Sequence, residues 1–366
     1  MPRIRLAVLF GGRSTEHQIS CLSAGSVLAA LDRDRYDVVA IGITKDGRWV
    51  VAPDDPNALA AHGMQLPSVD AAGAAVALPG DPSAGGLLLL EPGELPAALT
   101  AVDVVFPILH GPYGEDGTIQ GLLELAGVPY VGSGVLSSAV SMDKEYMKIL
   151  LAARGLPVGP YVVVRDRDWR TDQLGALDAI DAMGYPVFVK PARGGSSIGI
   201  SKVRDRSELV AAIDLARGCD PKVIVERAVF GREVECAVLD GLDGAPPQAS
   251  LPAEVHVGAG FDFYDFEAKY LADATTFDIP ARLDAKTTDE VRRLAVETFV
   301  ALDCSGLARV DFFVTEEGLV VNEINTMPGF TPTSMYPRMW AATGIDYPTL
   351  VDSLIRIATE RGTGLR

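Results

Sequence analysis

Apolar residues occur in short unbroken runs along the first third of the chain, separated by stretches with helical spacing. The runs are "RIRLAVLF", "YDVVAIGIT" and "VDVVFPIL", and the helical stretches lie at about 20–31 and 117–126. Apolar strands that alternate with helices are typical of a parallel sheet covered on both faces. The segment at 51–100 is rich in Ala, Gly and Pro, and we predict peripheral loops there.

The remaining chain has two further segments with strand and helix patterns. A long helical pattern at about 135–154 leads into the second segment, and the third begins near "GREVECAVLDG". Strands are predicted at "YPVFVKPA", "IGISKV", "KVIVERAV", "LARVDFFV" and "GLVVNEIN", and helices near 207–217, 286–302 and 347–359. We therefore predict three domains, at 1–140, 141–230 and 231–366.

Composition narrows the class of protein. The 366 residues are 48% hydrophobic, which is enough for several cores, and the formal net charge is −17. An acidic chain repels polyanions, so nucleic acids and anionic membranes are disfavoured as partners. The apolar runs are too short for a signal peptide or a membrane span. The 4 cysteines are far apart without C-x-x-C spacing, so the sequence predicts a cytoplasmic protein with reduced thiols.

A glycine-rich loop follows a predicted strand at 190–201, "KPARGGSSIGIS". Small residues let backbone N–H groups approach phosphate oxygens, and two serine hydroxyls add donors. Gly194 and Gly199 have the separation of a Walker A loop, but Ile200 stands where that motif has its lysine. Lys190, at the end of the strand, is the better cationic partner. The alternative is an ordinary glycine-rich hairpin.

The segment "ARVDFFVTEEGLVVNEIN" predicts a hairpin with polar residues on one face. A three-residue turn at 316–318, with Gly318 left-handed, pairs Asp311 with Glu323 and Arg309 with Asn325. Two opposed carboxylates repel unless a cation lies between them, and oxygen ligands without His or Cys favour Mg²⁺ or Mn²⁺. A two-residue turn shifts the register by one and separates the carboxylates. The alternative is a solvated charged hairpin.

Together these motifs resemble the ATP-grasp enzymes and, within them, the D-alanine–D-alanine ligases. The resemblance covers nearly the whole chain and rests on eight segments in matching order: "FGGRSTEHQIS", "LHGPYGEDGTIQG", "PYVGSG", "SMDK", "VFVKPARGGSSIGISKV", "DFYDFEAKY", "ARVDFF" and "NEINTMPGFT". It implies an α/β fold of three domains, with an N-terminal parallel-sheet domain and, in the α+β ATP-grasp part, a nucleotide held between two antiparallel sheets. It also implies a lid loop at about 255–277, a homodimer, and ligation of two D-alanines through an acyl phosphate for peptidoglycan precursor synthesis.

The resemblance assigns residues to ATP and metal. Those matched to ATP are Lys144, Lys190, Glu226, Glu233 and Lys269, with Lys269 on the lid. Those matched to two Mg²⁺ or Mn²⁺ ions are Asp311, Glu323 and Asn325. Cations that converge on one site in an acidic protein fit the task of holding an anionic nucleotide beside an anionic substrate.

It also assigns residues to the amino acid substrates. Glu16 matches the carboxylate that holds the first ammonium group, with His110 nearby, and it forms a hydrogen-bonded trio with Ser196 and Tyr270. Arg309 and the Gly329 N–H match the oxyanion stabilisers, the fixed donors that a tetrahedral intermediate needs. Ser334 and Met335 match residues near the second substrate's carboxylate.

Two alternatives remain at this stage. Relatives that use D-lactate or D-serine as second substrate are the nearest, although the intact "EAKY" favours an amine nucleophile and the apolar Met335 suits a methyl side chain. A nucleotide-binding protein without ligase activity is the alternative of another class, through "VGSGVLS". That motif has Ser137 where a dinucleotide fingerprint has its third glycine, so it is weak.

Overall fold

A computed structural model describes residues 3–61, 63, 65–195, 198–257 and 275–364. Within these ranges the chain forms three β-sheets. The first contains β1 Ile4–Gly11, β2 Tyr36–Ile43, β3 Trp49–Val51, β4 Ala75–Ala77, β5 Gly86–Leu90, β6 Ala97–Ala101 and β7 Val104–Ile108. The helices that follow in this part of the chain are α1 His17–Ala30, α2 Thr118–Ala126, α3 Val135–Met142 and α4 Lys144–Ala153.

The first sheet is parallel only at one end. Its order is β6-β5-β4-β3-β2-β1-β7, in which β1 pairs in parallel with β2 and β7, and every pair from β2 to β6 is antiparallel. The prediction of peripheral loops at 51–100 was therefore wrong in part, because this segment contributes three short strands to the sheet edge. Val76 and Leu87 of these strands pack into the core, but each strand is at most 5 residues long, which leaves little apolar periodicity to detect.

The long helical pattern at 135–154 is two helices, α3 and α4, and not one. Asp143 separates them with extended backbone dihedrals of φ −90° and ψ 101°. Its carboxylate accepts hydrogen bonds from the N–H groups of Glu145 and Tyr146, and its backbone forms an isolated bridge to Arg193. Asp143 therefore caps α4 and fixes the direction of Lys144, the first residue of that helix.

The second sheet has the order β10-β9-β11-β8 and is antiparallel where its pairs are described. Its strands are β8 Tyr161–Arg165, β9 Val187–Pro191, β10 Ser201–Val203 and β11 Lys222–Arg227, and the nearby helices are α5 Asp166–Thr171, α6 Gln173–Asp181 and α7 Arg206–Arg217. Val187 and Val189 are fully buried in the core with α7, so the alternate residues Phe188 and Lys190 point to the opposite face.

The third sheet is also antiparallel, with β15-β14-β12-β16-β17 in order and β13 beside β12. Its strands are β12 Arg232–Leu239, β13 Gln248–Ala249, β14 Ala253–Val257, β15 Thr275–Asp278, β16 Leu307–Thr315 and β17 Gly318–Asn325. On β16, Ala308, Val310 and Phe312 pack with helix α8 Ala285–Ala301. Arg309 and Asp311 therefore lie on the other face.

The last two helices, α9 Met335–Thr343 and α10 Tyr347–Arg361, return to the first sheet. Trp340 and Leu354 belong to one buried cluster with Leu6, Val8 and Phe106 of β1 and β7. Arg361 donates hydrogen bonds to carbonyl groups that follow β7 in the chain. The two ends of the chain thus share one hydrophobic core. Across the described residues, no helix combines the length and the apolar character needed to cross a membrane.

Candidate active site

A cleft of about 1270 Å³ is lined by residues of the second and third sheets, of α1 and α4, and of the connecting segments, including the turn after β7. It brings together all the predicted site residues that lie in the described ranges: Glu16, His110, Lys144, Lys190, Glu226, Glu233, Arg309, Asp311, Glu323, Asn325, Gly329, Ser334 and Met335. Ser196, Lys269 and Tyr270 were also predicted, but they lie outside the described residues, as does most of the predicted lid.

Two lysines hold the carboxylate of Glu226 within the second sheet. Lys190 on β9 places Nζ 2.6 Å from Oε2, and Lys148 on α4 places Nζ 2.7 Å from Oε1. Burial by itself raises the pKa of Glu226, but the two ammonium groups outweigh it and hold the pKa well below its usual value. Burial by itself lowers the pKa of Lys190, but the Glu226 carboxylate outweighs burial, so the pKa is raised above its usual value. Glu226 and Lys190 are therefore both ionised.

Lys144 connects the glycine loop with the hairpin of the third sheet. Its Nζ donates a hydrogen bond of 2.9 Å to the carbonyl of Gly194 and lies 3.4 Å from Oε2 of Glu323. Its backbone N–H also donates to the carbonyl of Ala192. Lys144 is the first residue of α4, and the Asp143 cap fixes the start of that helix. The Lys144 side chain therefore projects from a fixed backbone position between the two antiparallel sheets.

The hairpin has a shorter turn than predicted, but it keeps the predicted pairs. Thr315 pairs with Gly318 across a two-residue turn, which is the arrangement expected to separate the two carboxylates. A β-bulge next to Asp311 and Phe312 then adds one residue, Asn322, to β17. Asp311 consequently pairs with Glu323, and Arg309 with Asn325. The predicted three-residue turn was wrong, and the bulge restores the register that it would have given.

Arg309 is the central cation of this face. Its Nε and Nη2 donate to the two oxygens of Asp311, both at 2.7 Å, and Nε is 3.3 Å from Oε2 of Glu235 on the neighbouring strand. Asn325 Nδ2 donates to Asp311 at 3.1 Å. Burial alone lowers the pKa of Arg309, but the carboxylates of Asp311 and Glu235 raise it well above its usual value. Arg309 is permanently charged and geometrically fixed.

The residues on this face fit a divalent cation. Asp311 and Glu323 are directly opposed, Asn325 adds an amide next to them, and all three line the cleft. They offer only oxygen and amide groups, which is the donor chemistry of Mg²⁺ or Mn²⁺ and not of zinc. Arg309 and Lys144 supply the positive charge that the paired carboxylates need in this structure.

Glu16 lies at the other side of the cleft, before α1. A Cβ atom on Gly111 would be 2.8 Å from Glu16 Oε2, and one on Gly195 would be 3.4 Å from it. The carboxylate therefore sits between the turn after β7 and the glycine loop. Gly111 has φ +74°. Both this left-handed backbone and the close approach of Glu16 favour glycine at the position.

The backbone at Met327 is held by two side chains from the turn after β7. His110 Nδ1 is 2.9 Å from the Met327 carbonyl, and Glu115 Oε1 accepts a hydrogen bond of 3.0 Å from the Met327 N–H. The other oxygen of Glu115 accepts from the Gly111 N–H at 2.6 Å. Burial lowers the pKa of His110 although the Glu16 carboxylate opposes the change. His110 is thus neutral, with Nδ1–H donating to the carbonyl.

The segment after Met327 carries the remaining predicted residues. Tyr347 donates a hydrogen bond of 2.6 Å to the carbonyl of Phe330, the residue after Gly329. Ser334 Oγ accepts from the Thr331 N–H at 3.1 Å, and Met335 begins α9 with its side chain buried. The chain is therefore fixed on both sides of Gly329, which lines the cleft.

The cleft is also lined by Lys148, Glu115 and Glu235, which were not predicted from the sequence. Lys148 follows Lys144 by four positions, which places both lysines on one helical face. Glu235 follows Glu233 by two positions on the same strand face. Both spacings are visible in the sequence. Glu115 offers no such pattern, since "GEDG" reads as a turn.

Known proteins resemble the chain along its whole length. The D-ala D-ala ligase N-terminus family matches residues 5–133, and the D-ala D-ala ligase C-terminus family matches residues 150–356. A D-alanine–D-alanine ligase from Rhodococcus jostii (strain RHA1) is 60% identical over 371 residues, which cover 100% of this chain and 99% of the relative. One from Mycobacterium avium (strain 104) is 57% identical over 369 residues, with 100% and 99% covered.

Solved structures agree with these relatives. The VanG D-Ala:D-Ser ligase from Enterococcus faecalis has a TM-score of 0.85 at 38% identity, covering 98% of this chain and 100% of that one. The D-alanine–D-alanine ligase from Coxiella burnetii has a TM-score of 0.80 at 36% identity, covering 98% and 96%. The family and fold class expected from the sequence are confirmed. The chain belongs to the D-alanine–D-alanine ligase family of ATP-grasp enzymes.

Proposed function

We propose that this protein joins two molecules of D-alanine into D-alanyl-D-alanine, with ATP converted to ADP and phosphate, for peptidoglycan precursor synthesis. The observation that carries the proposal is the meeting of three kinds of group in one cleft: phosphate-binding lysines, an oxygen ligand set, and Glu16 beside the glycine loop. Membership in the ligase family supports the same reaction.

ATP binds between the two antiparallel sheets. Lys190 and Lys144 contact its phosphates together with the glycine loop that includes Ser196, while Glu226 and Glu233 take the adenine and ribose end. Lys269 approaches the γ-phosphate from the lid. The lysines neutralise the phosphates before an anionic substrate enters, since two anions at close range repel strongly in a cleft that excludes water.

Asp311, Glu323 and Asn325 would hold Mg²⁺ or Mn²⁺, with two ions as the family resemblance implies. A bound ion would supply positive charge beside the phosphoryl group that is transferred. Arg309 binds Asp311 in a bidentate manner, so it sets the orientation of that carboxylate before any metal arrives.

Glu16 binds the ammonium group of the first D-alanine, and His110 stays neutral beside it. The carboxylate of this substrate attacks the γ-phosphorus of ATP, ADP leaves, and the product is D-alanyl phosphate. The amine of the second D-alanine loses a proton and attacks the acyl carbon, with phosphate as the leaving group. Arg309 and the Gly329 N–H stabilise the oxyanion. Ser196, Tyr270 and Glu16 form the hydrogen-bonded trio beside this step.

The second subsite is formed by Ser334 and Met335. The apolar Met335 side chain suits the methyl group of D-alanine. D-Serine is the second candidate, because one similar solved structure is a D-Ala:D-Ser ligase. D-Lactate is disfavoured by the intact "EAKY" segment.

We further propose a homodimer acting in the cytoplasm, with domains at 1–140, 141–230 and 231–366, as the family resemblance implies. Light scattering after gel filtration tests the dimer. A mass near that of one chain would contradict it.

Phosphate release from Mg-ATP tests the reaction itself. D-Alanine is supplied alone and then with D-serine or D-lactate, at several pH values, and products are identified by mass. We expect phosphate and D-alanyl-D-alanine in equal amounts. If D-alanine alone gives no phosphate at any pH, the proposed roles of Glu16, Ser196 and Tyr270 are wrong.

A further inference from the structure

Glu226 is paired with one ammonium group on each of its carboxylate oxygens. Lys190 approaches Oε2 at 2.6 Å and Lys148 approaches Oε1 at 2.7 Å. Lys148 is 3% exposed and Glu226 is 7% exposed, so bulk water does little to solvate their charged groups. The three side chains together carry one net positive charge. One ammonium group would neutralise the Glu226 carboxylate, but two contact it.

The two lysines have different surroundings. Lys190 lies on the cleft face of β9, close enough to Glu323 and Glu233 for both carboxylates to raise its pKa in addition to Glu226. Its ammonium group therefore faces the region where the phosphates and metal are proposed to bind. Lys148 projects from α4, and among the residues that the structure describes its ion-pair partner is Glu226.

Contact between Lys190 and a phosphate has a consequence for Glu226. The ammonium group must turn from the carboxylate to the nucleotide, and a buried carboxylate left without a partner is strongly destabilising. The second lysine removes this penalty, because Glu226 keeps one close counter-ion throughout.

We propose that Lys148 is a positioning residue of the nucleotide site, which keeps Glu226 paired and in place while Lys190 transfers its ammonium group to a nucleotide phosphate. This inference rests on the proposed binding of ATP in the cleft. It assigns Lys148 an action through Glu226 and no direct contact with the nucleotide.

The test combines kinetics with nucleotide binding. KM for ATP, KM for D-alanine and kcat are measured for wild type, Lys148→Met and Lys148→Arg, and the Kd of Mg-ADP is measured by calorimetry. We expect Lys148→Met to raise KM for ATP and the Kd of Mg-ADP about 30-fold. KM for D-alanine should change less than about 3-fold, and Lys148→Arg should recover most of the affinity. Lys148→Gln is measured in parallel in case the methionine variant does not fold.

The same substitutions in a Glu226→Gln background separate the two possible roles of Lys148. A neutral amide needs no counter-ion, so adding Lys148→Met to Glu226→Gln should raise the Kd of Mg-ADP by about 3-fold or less. An equal rise in both backgrounds would mean that Lys148 contacts the nucleotide itself, which overturns the proposal. Unchanged Kd and KM in Lys148→Met would overturn it as well.

Arg217→Met is the matched control. Arg217 pairs with Asp166 and Asp214 outside the cleft, so its loss should lower stability without raising the Kd of Mg-ADP. A comparable rise in this variant would assign the effect to general loss of ion pairs and contradict the proposal. Wild-type protein that neither binds Mg-ADP nor forms dipeptide would instead refute the proposed function, which is a distinct outcome.

Discussion

Asp311 and Glu323 are directly paired across the β16–β17 hairpin. Between the turn and Phe312, however, the two strands follow a register that would pair Asp311 with residue 322. The extra residue at Asn322 moves the partner of Asp311 from position 322 to position 323. Without it, Glu323 would point to the core beside α8. The ligand set of the cleft therefore depends on a backbone irregularity as much as on its side chains.

Asp311→Asn tests this face of the hairpin. The substitution keeps the shape but removes a negative charge that Arg309 and the proposed metal both use. We expect kcat/KM to fall about 100-fold. Steady-state rates measured over a range of Mg²⁺ concentrations check this, because weaker metal binding shifts the half-saturating concentration upwards.

Glu316→Gln, in the exposed turn of the same hairpin, is the matched control for that variant. It removes the same charge type without touching the cleft, so its rates should equal those of wild type. Equal activity of Asp311→Asn and wild type would remove Asp311 from the metal site.

Arg309→Lys removes the bidentate geometry while it keeps the charge. A lysine cannot reach both oxygens of Asp311 and also approach Glu235, so the two carboxylates would share one ammonium group. We expect kcat to fall about 100-fold and the melting temperature to decrease. Kinetics and thermal unfolding measure the two effects.

The control for Arg309→Lys is Arg293→Lys on α8, where the arginine also pairs with two carboxylates but is exposed. Exposed ion pairs contribute little, so this variant should match wild type. Similar losses in both variants would show that the bidentate geometry at Arg309 has no special importance.

Gly111→Ala tests the close packing of Glu16. The new methyl group meets Glu16 Oε2 at 2.8 Å and also strains a backbone with φ +74°. We expect KM for D-alanine to rise about 10-fold, because Glu16 must move from the position proposed for the substrate ammonium, and stability to fall by about 1 kcal/mol. Gly85→Ala has almost the same strain, at φ +71°, but no atom within 4 Å of the new methyl group. It should lose stability only. Equal KM values for D-alanine in the two variants would contradict the proposed role of Glu16 in substrate binding.

Glu115 gives the protein a pH-dependent stability. Burial and the neighbouring Glu16 carboxylate raise the pKa of Glu115 to about 8, although backbone N–H groups from Gly111 and Met327 oppose the change. Below about pH 4.5 the group is protonated whether the chain is folded or unfolded. Between about pH 4.5 and 8 the folded protein retains a proton that the unfolded chain releases, so the free energy of unfolding decreases as pH rises. Above about pH 8 the contribution is constant.

Glu115→Gln removes this titration. Between pH 5 and pH 8, the melting temperature of the nucleotide-free variant should fall by about 2 °C less than that of nucleotide-free wild type. The variant is less stable overall, since an amide cannot accept both backbone hydrogen bonds, so only the slopes are compared. Parallel slopes would contradict the raised pKa.

Part of the site could be predicted from local patterns in the sequence, whereas Glu16, Lys144, Glu226 and the other site residues were assigned by the family resemblance. Alternation along β16 and β17 placed Asp311 and Glu323 on one face, and the glycine loop identified Lys190. The bulge at Asn322 could not be predicted, because no residue type there demands it and a different turn leads to the same pairs. Lys148 was missed because a lysine within an amphipathic helix ordinarily reaches solvent.

The first sheet was predicted less well. The parallel strands had unbroken apolar sequences, but the strands at 75–101 are short and partly exposed. Their pairing depends on the strand beside them, which is tertiary context that a local pattern does not contain.

The shared core of the two chain ends has a consequence for synthesis of the protein. Leu6, Val8 and Phe106 are synthesised before their partners Trp340 and Leu354, which lie much further along the chain. One apolar face of this sheet therefore stays uncovered until α9 and α10 have been synthesised. During that interval the nascent chain is a natural client for chaperones, and truncation before α10 should leave a polypeptide that aggregates.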